Sequence, residues 1–290
     1  MTIGTFDGLH RGHLSLLQPL VKGAREAGVR SVLVTFLPHP RCVLDPANCP
    51  ALLSTLEEKI GLAGRLGLTD MVVIPFTREV ADLLPGDFFE RLAGGIDIRR
   101  LFVGYNFAFG RDRRGDVGFL RGLAVRAGFE LVVCEALTVG GSPISSSRIR
   151  GLLARGRVRA AARLLGRDYD VRSVVQAGSG KGKDLGFPTA NLAIPSGKLL
   201  PRAGVYAVRG LVDGRTHQGA ANLGFRPTFE GRTLTLEAFL FDYEGGPLYD
   251  KQMTLSFVHR LRDEQKFQSV TELQEQIGKD VALARQVLNR

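Results

Sequence analysis

The sequence predicts two domains of different class. An α/β domain on a parallel sheet spans 1–167, and a small antiparallel β-barrel closed by a C-terminal helix spans 168–290. Three observations carry this. The first half alternates short apolar runs with stretches of helical periodicity, the pattern of a parallel sheet covered on both faces. After Gly166 the chain turns to β-branched and aromatic runs separated by Gly and Pro, the pattern of a compact antiparallel unit. With 290 residues, 44% hydrophobic and 23% charged, there is enough chain for two ordinary cores.

The elements follow in order. Buried strands are expected at 31–36 (SVLVTF), 71–75 (MVVIP), 101–104 (LFVG) and 130–134 (ELVVC), with helices at 13–27, 56–66 and 118–127 between them. One or two helices over 145–165 begin on a serine cluster suited to capping, with a break at Gly156. From 169 to 259 come VYAVRGLV, LTLEAFLF and MTLSFV, the barrel strands. Ser269 and Glu272 form a capping box for the last helix. Val270, Leu273, Ile277, Val281, Ala284 and Leu288 hold one face of it.

Composition narrows the function classes. No run of about 18 apolar residues could cross a membrane. Met1 opens no charged-then-apolar leader, so the chain is expected in the cytoplasm. There Cys42, Cys49 and Cys134 should be reduced thiols; they have no metal-ligand spacing. Residues 1–167 carry 23 Lys+Arg against 15 Asp+Glu, and residues 168–290 carry 16 against 14. The excess is diffuse, without basic runs or aromatic interleaving, which suits polyphosphate handling better than nucleic acid.

Two motifs in the first domain speak for phosphate chemistry. In GTFDGLHRGH, Gly4 and Gly8 allow a tight approach after a strand, and a helix opening near Arg11 aims free N–H groups at the loop. His10 and His13 stand three apart at that helix start and can face one anion. This is a cradle with two donors and no nucleophile, suited to attack by a bound phosphate on a nucleotide's α-phosphorus. Downstream, ISSSRIR (144–150) sets hydroxyls at a helix start with arginines just inside it. Either motif alone fits an ordinary helix start; two on one sheet favour the functional reading.

In the second domain GSGKGKDLGFPTANL (178–192) is not a P-loop, because Ala177 and Asp184 stand where that motif needs Gly and Ser/Thr. A loop carrying Gly180, Lys181, Gly182, Lys183 and Gly186 can still hold phosphates through backbone N–H groups and lysine charge. Thr189 and Asn191, two apart on an extended segment, point to one side and offer hard oxygen ligands for Mg2+; Pro188 stiffens the turn before them.

FDGLHRGH, FLPHP, VGYNFAFG and ISSSRIR, followed in order by GFPTAN, GVYAV, ANLGFRPTF, LEAFLFD and LRDEQKF, resemble the bacterial bifunctional riboflavin kinase/FAD synthetase family over essentially the whole chain. The resemblance implies a Rossmann-like nucleotidylyltransferase domain before a riboflavin kinase-like six-stranded barrel. It implies ATP-dependent phosphorylation of riboflavin to FMN, then adenylylation of FMN to FAD, both with Mg2+. It also implies that His10 and His13 contact ATP phosphates, that Gly4, Phe6, Asp7 and Gly8 shape the pocket, and that Ser146, Ser147 and Arg150 sit at the polyphosphate end. His39, Pro40 and Asn106 would lie near nucleotide or flavin. Phe107 and Phe109 fit either that pocket or the core.

In the kinase half Glu237 is implied as general base for the ribityl hydroxyl. Its neighbours Leu236, Ala238 and Leu240 are apolar, surroundings expected to strengthen it as a base. Asn222 and the loop with Arg262, Glu264 and Phe267 would border the flavin. Riboflavin, FMN and ATP are the expected partners, without nucleic acid or membrane, and weak self-association is compatible with this reading. Family members carry a longer lead before the glycine motif. Here only Met1, Thr2 and Ile3 precede Gly4, so a short first strand is expected to hold the loop weakly. The rival reading is a riboflavin kinase alone, with a vestigial or regulatory N-terminal domain.

Overall fold

The computed structural model describes residues 1–177, 186–228 and 231–289, apart from the side chains of 226–228 and 231–232. By internal contacts the chain divides into two compact units, Met1–Ser146 and Ser147–Arg290.

The first unit is a five-stranded parallel sheet in the order β3-β2-β1-β4-β5. Its strands are β1 (Thr2–Ile3), β2 (Val32–Leu37), β3 (Asp70–Pro75), β4 (Arg100–Gly104) and β5 (Glu130–Cys134). Four of them fall within a residue of the expected runs. The helices are α1 (Arg11–Glu26), α2 (Pro40–Leu44), α3 (Leu56–Arg65), α4 (Arg78–Ala81), α5 (Pro85–Ala93) and α6 (Val117–Ala127). Strand alternation splits the core between the faces. Leu33 and Phe102 join Phe6, Leu9, Leu17 and Leu20 in one cluster, while Val34, Leu101 and Val103 join Phe88, Phe89 and Leu120 in the other.

β1 is two residues long and central. Thr2 pairs with Leu33 on one side and Phe102 on the other, and the ladder continues as Met1 O accepts from Phe102 N (2.9 Å) and Gly4 N donates to Val34 O (3.0 Å). The short strand is thus held from both sides. The strand order reverses at β1, so the loop after it opens at the switch point where open α/β sheets bind ligands.

Two expectations change here. Cys42 and Cys49 form a disulfide rather than two thiols. The chain between them is helix α2 and a single 3-10 turn (Pro46–Asn48), which folds back and leaves their Cα atoms 4.2 Å apart. Cys134, on β5, is free. Helix α5 was not expected; Pro85 at its first turn and buried Phe88 and Phe89 explain it. A small hairpin, β6 (Thr138–Val139) with β7 (Ser142–Pro143), leads toward the serine motif.

Helices α7 (Ser146–Ala154) and α8 (Val158–Leu165) follow, separated at Gly156 as expected. Gly156 has φ +71° and the Arg260 side chain lies where a Cβ would stand, so only glycine fits. Although the compositional shift falls at Arg167, both helices pack with the barrel: Arg202 N donates to Leu153 O (2.9 Å), and α8 contacts two barrel strands.

The barrel is closed in the order β10-β11-β12-β9-β8-β13. Its strands are β8 (Tyr169–Gln176), β9 (Ala190–Leu192), β10 (Gly204–Val212), β11 (Arg215–Thr228), β12 (Gly231–Leu240) and β13 (Gln252–Arg262). Tyr206, Val208, Leu223, Leu236, Met253, Leu255 and Phe257 are buried. Helix α9 (Val270–Leu288) packs Ala284 and Leu288 against Ala207 and Phe241. At its start the Ser269 hydroxyl accepts from Glu272 N, while Glu272 reaches Gln268 N rather than the cap's own N–H.

Candidate active sites

In the first unit the turn after β1 takes an unusual path. Phe6 (φ +46°) and Leu9 (φ +38°) lie in the left-handed region with Gly8 (φ +82°), although neither is glycine. Such strain persists only where surroundings hold it, and it gathers at functional sites. The holding groups are visible. The buried Asp7 carboxylate accepts from Leu53 N (3.0 Å) and Ser54 N (3.1 Å), Ser54 Oγ accepts from Gly8 N (3.0 Å), and Ser146 Oγ donates to Asp7 O (3.0 Å). Leu53 fills the space that a Cβ at Gly8 would need.

This path delivers the two histidines. His10 caps α1, its Nδ1 accepting from His13 N (3.2 Å), which places a neutral ring's proton on Nε2. The two rings stack with centroids 3.6 Å apart and 12° between planes, and Phe6 meets His13 edge-on at 5.1 Å. Gly12 allows the pair, since a Cβ there would lie 3.2 Å from the His10 ring. Burial first, then the positive charge of His10 and Lys59, hold the His13 pKa well below 6.5. Its buried Nδ1 makes no hydrogen bond among the described residues. An orphaned buried nitrogen in the first turn of a helix is a group that a bound phosphate would satisfy.

A cavity of about 20 Å³ opens beside the loop, lined by residues including Thr5, Asp7, Phe36, His39, Ser54 and Lys59. His39 caps α2, its Nδ1 accepting from Arg41 N (3.1 Å), with Pro40 at the first helical position. Asn106 is exposed just beyond β4, its carbonyl accepting from Arg113 (3.4 Å). Phe107 stacks on Phe109, which belongs to the core. Ser147 and Arg150 lie in the first turns of α7.

In the barrel, strand register does the gathering. Asn222 on β11 pairs with Glu237 on β12, which pairs with Asn191 on β9. Directly paired residues share a face, so three expected site residues stand in one row. Thr189 and Asn191 flank buried Ala190. A hydroxyl, carboxamides and a carboxylate are hard oxygen donors, a set that fits Mg2+ shared with phosphates and water. One expectation is corrected: Leu236, Ala238 and Leu240 are buried on the face opposite Glu237, so they do not surround its carboxylate.

Glu264 joins this row. An ideal Cβ at Gly224 would fall 1.8 Å from Glu264 Oε1 and 3.2 Å from Asn222 Nδ2, so the missing side chain makes room for the carboxylate beside Asn222. Arg262 is committed elsewhere. Its guanidinium pairs with buried Asp280 (2.7 Å) on α9 and lies over the Phe267 ring at 5.8 Å. Gly186 (φ +82°) and Pro188 are exposed before β9. The expected phosphate loop residues Gly180, Lys181, Gly182 and Lys183 lie outside the described residues.

Sequence reasoning passed over Ser54 and Lys59, and it gave Asp7 a pocket role without the backbone bonds it makes. The visible signal was TLEEK, a capping box from Thr55 to Glu58 with a lysine one residue on. Nothing local showed that it folds against Asp7.

A switch-point loop presenting paired imidazoles, with a separate oxygen-rich row on a closed barrel, defines a class: a two-module transferase that handles nucleotide phosphates. Comparison resolves the class. A family model described as FAD synthetase matches residues 1–148, and one described as riboflavin kinase matches residues 165–288. The bifunctional riboflavin kinase/FMN adenylyltransferase of Pseudomonas fluorescens is 38% identical over 98% of this chain and 91% of its own length; that of Bacillus subtilis is 34% identical over 97% and 89%. The chain therefore belongs to the bifunctional riboflavin kinase/FMN adenylyltransferase family. With both halves matched, the kinase-only reading gives way to the bifunctional one. A crystal structure described as a macrolide-efflux protein from Streptococcus pneumoniae superposes with a TM-score of 0.88 at 27% identity, over 98% of this chain and 93% of that one. Among the described residues here, no helix is long and apolar enough to cross a membrane.

Proposed function

We propose that the barrel phosphorylates riboflavin and the α/β unit adenylylates the resulting FMN, each through the residues gathered above. One observation supports this division: the histidine pair with its glycine loop lies inside the first compact unit, and the row Asn191, Glu237 and Asn222 lies inside the second. We assign the functional boundary to Arg167, where the sequence pattern changes, and the setting to the cytoplasm.

In the barrel, Glu237 takes the proton from the ribityl 5′-hydroxyl as that oxygen attacks the γ-phosphorus of ATP, the bond to the β–γ bridging oxygen breaks and ADP leaves. Thr189 and Asn191 would hold Mg2+, which neutralises charge on the transferring phosphates. Asn222, Glu264 and Phe267 border the flavin, and Arg262 keeps that border in place through Asp280. Gly180, Lys181, Gly182 and Lys183, with Gly186 and Pro188, are assigned to the ATP phosphates on their residue types.

In the α/β unit, the FMN phosphate attacks the α-phosphorus of a second ATP and pyrophosphate leaves. His10 and His13 donate to the phosphate oxygens, while Gly4, Phe6 and Gly8 let the backbone approach them. Ser146, Ser147 and Arg150 bind the leaving pyrophosphate, and His39, Pro40 and Asn106 flank the flavin or adenine. Riboflavin with Mg-ATP, products separated over time, tests the reading: FMN appears first, then FAD with pyrophosphate. FMN accumulating without FAD would overturn the assignment of the α/β unit.

A further inference from the structure

Lys59 stands out among the groups the preceding scheme does not use. It sits in the first turns of α3 and is buried, 7% exposed. Its ammonium donates to Thr5 O (2.7 Å) in the strained turn and to Thr35 Oγ1 (3.1 Å) on β2, and Thr35 Oγ1 itself donates to Thr5 O (3.0 Å). A lysine rarely loses its water without a task, since burying an ammonium is costly unless it is paired and hydrogen-bonded. Here two oxygens and the nearby Asp7 carboxylate answer that cost in part, and the cavity it lines opens beside the glycine loop.

The bonds have a direction. Thr5 lies just beyond the end of β1, and the next residue, Phe6, already takes a left-handed backbone. Lys59 from α3 and Thr35 from β2 together hold that carbonyl, while Asp7 and Ser54 hold the far limb of the same turn. The turn is therefore clamped from three places in the chain, β2, α3 and the segment before α3, and Lys59 is the only charged clamp of positive sign among those bonds.

We propose that Lys59 is a positioning residue for FMN adenylylation: it fixes the Thr5 carbonyl at the mouth of the glycine loop and sets an ammonium near the histidine pair. The charge favours phosphate oxygens arriving at the loop and disfavours a second cation on His13, so the ring stays a neutral hydrogen-bonding partner. The other titratable groups around this corner are His10 from the cap of α1, Asp7 from the loop, His39 from the cap of α2, and Glu58 of α3 itself, which accepts from Thr55 N.

The inference rests on the assignment of adenylylation to this unit, and the experiment separates the two. In the full-length protein, Lys59→Met keeps length and loses charge, whereas Lys59→Arg keeps charge. FAD formation from FMN and Mg-ATP is measured beside riboflavin phosphorylation, and His13 is titrated by NMR. With Lys59→Met, kcat for FAD formation should fall on the order of 30-fold, KM for FMN should change little, and the His13 midpoint should rise toward 6.5. Lys59→Arg should leave that midpoint near wild type. An unmoved midpoint in Lys59→Met, or FAD formation within about twofold of wild type, would overturn the proposal. Should Lys59→Met fail to fold, Thr35→Val decides, since it removes one anchor and no charge: a several-fold loss of kcat is expected, and none would sink the idea. If His13→Ala instead leaves FAD formation intact, the underlying assignment fails, whatever Lys59 does.

Discussion

The two sites are built by opposite means. In the α/β unit the working groups sit on one short turn, and their geometry is forced: left-handed Phe6 and Leu9, a buried carboxylate gripping Leu53 and Ser54, and a lysine gripping Thr5. In the barrel, Asn191, Glu237 and Asn222 occupy ordinary strand positions, and pairing alone aligns them. The first arrangement stores strain and depends on contacts 46 to 54 residues away. The second inherits precision from a ladder that would form for stability anyway. Damage should therefore spread differently, with the turn sensitive to its distant supports and the row sensitive to what stands beside it.

The sharpest way to break this contrast is reciprocal. His13→Ala should lower FAD formation about 100- to 1,000-fold by removing a phosphate donor and leave riboflavin phosphorylation untouched. Glu237→Ala should lower FMN formation about 100- to 10,000-fold and leave FAD formation from supplied FMN untouched. Separate assays with riboflavin and with FMN read both. Loss of both activities in either variant would mean that the two clusters are not independent.

Next in size is the support of the turn. Asp7→Asn can keep the Oδ1 that both buried N–H groups reach, but replaces Oδ2, the second acceptor of Leu53 N, by an NH2 facing that donor, and should cost about 1–3 kcal/mol of stability in the α/β unit. Urea unfolding followed by amide exchange, unit by unit, measures it. The barrel's midpoint should not move. An unchanged α/β unit would show that the turn holds itself without Asp7.

How much of this was legible follows from the range of the interactions. Short continuous apolar runs placed β2 to β5 within a residue, because a strand buried on both faces declares itself in consecutive residues. The HxGH spacing and the Thr189–Asn191 pair were equally readable, since both partners lie within one element. The grip of Asp7 on Leu53 and Ser54 was not, because it joins residues 46 and 47 apart and no local pattern marks it. The Cys42–Cys49 bridge failed for another reason: it was judged from compartment and metal spacing, while the fold-back of 40–49 that brings the sulfurs together is a matter of backbone path. Glu237 shows the limit of neighbours in sequence, since Leu236 and Ala238 adjoin it along the chain and face away from it in space.

The barrel row has its own test of smaller effect. Gly224→Ala inserts a methyl where Glu264 Oε1 now lies, and the displaced atom is the end of a flexible side chain, so the barrel should keep its unfolding midpoint. FMN formation should fall about tenfold, the size of one lost hydrogen bond near the substrate. An unchanged rate would remove Glu264 from the flavin border and leave Asn222 to define it.

The smallest effect concerns acid. His13 is held below 6.5 by burial and by the positive charge of His10 and Lys59, whereas in the unfolded chain it titrates near 6.5. Between those two values the unfolded chain carries a proton that the folded one lacks, so the contribution of His13 to the stability of the α/β unit rises with pH through that window and levels off above it. Acidification from 6.5 downward should loosen this unit, and His13→Gln should flatten the dependence. In the barrel unit His259 is likewise lowered by burial and by Arg159, but is more open to solvent and so more weakly coupled to folding. Amide exchange between pH 5 and 7.5 should then show a steeper slope in the α/β unit than in the barrel. Equal slopes would mean that the strained turn relaxes on protonation, and that its rigidity comes from Asp7 and Lys59 without help from the packed imidazoles.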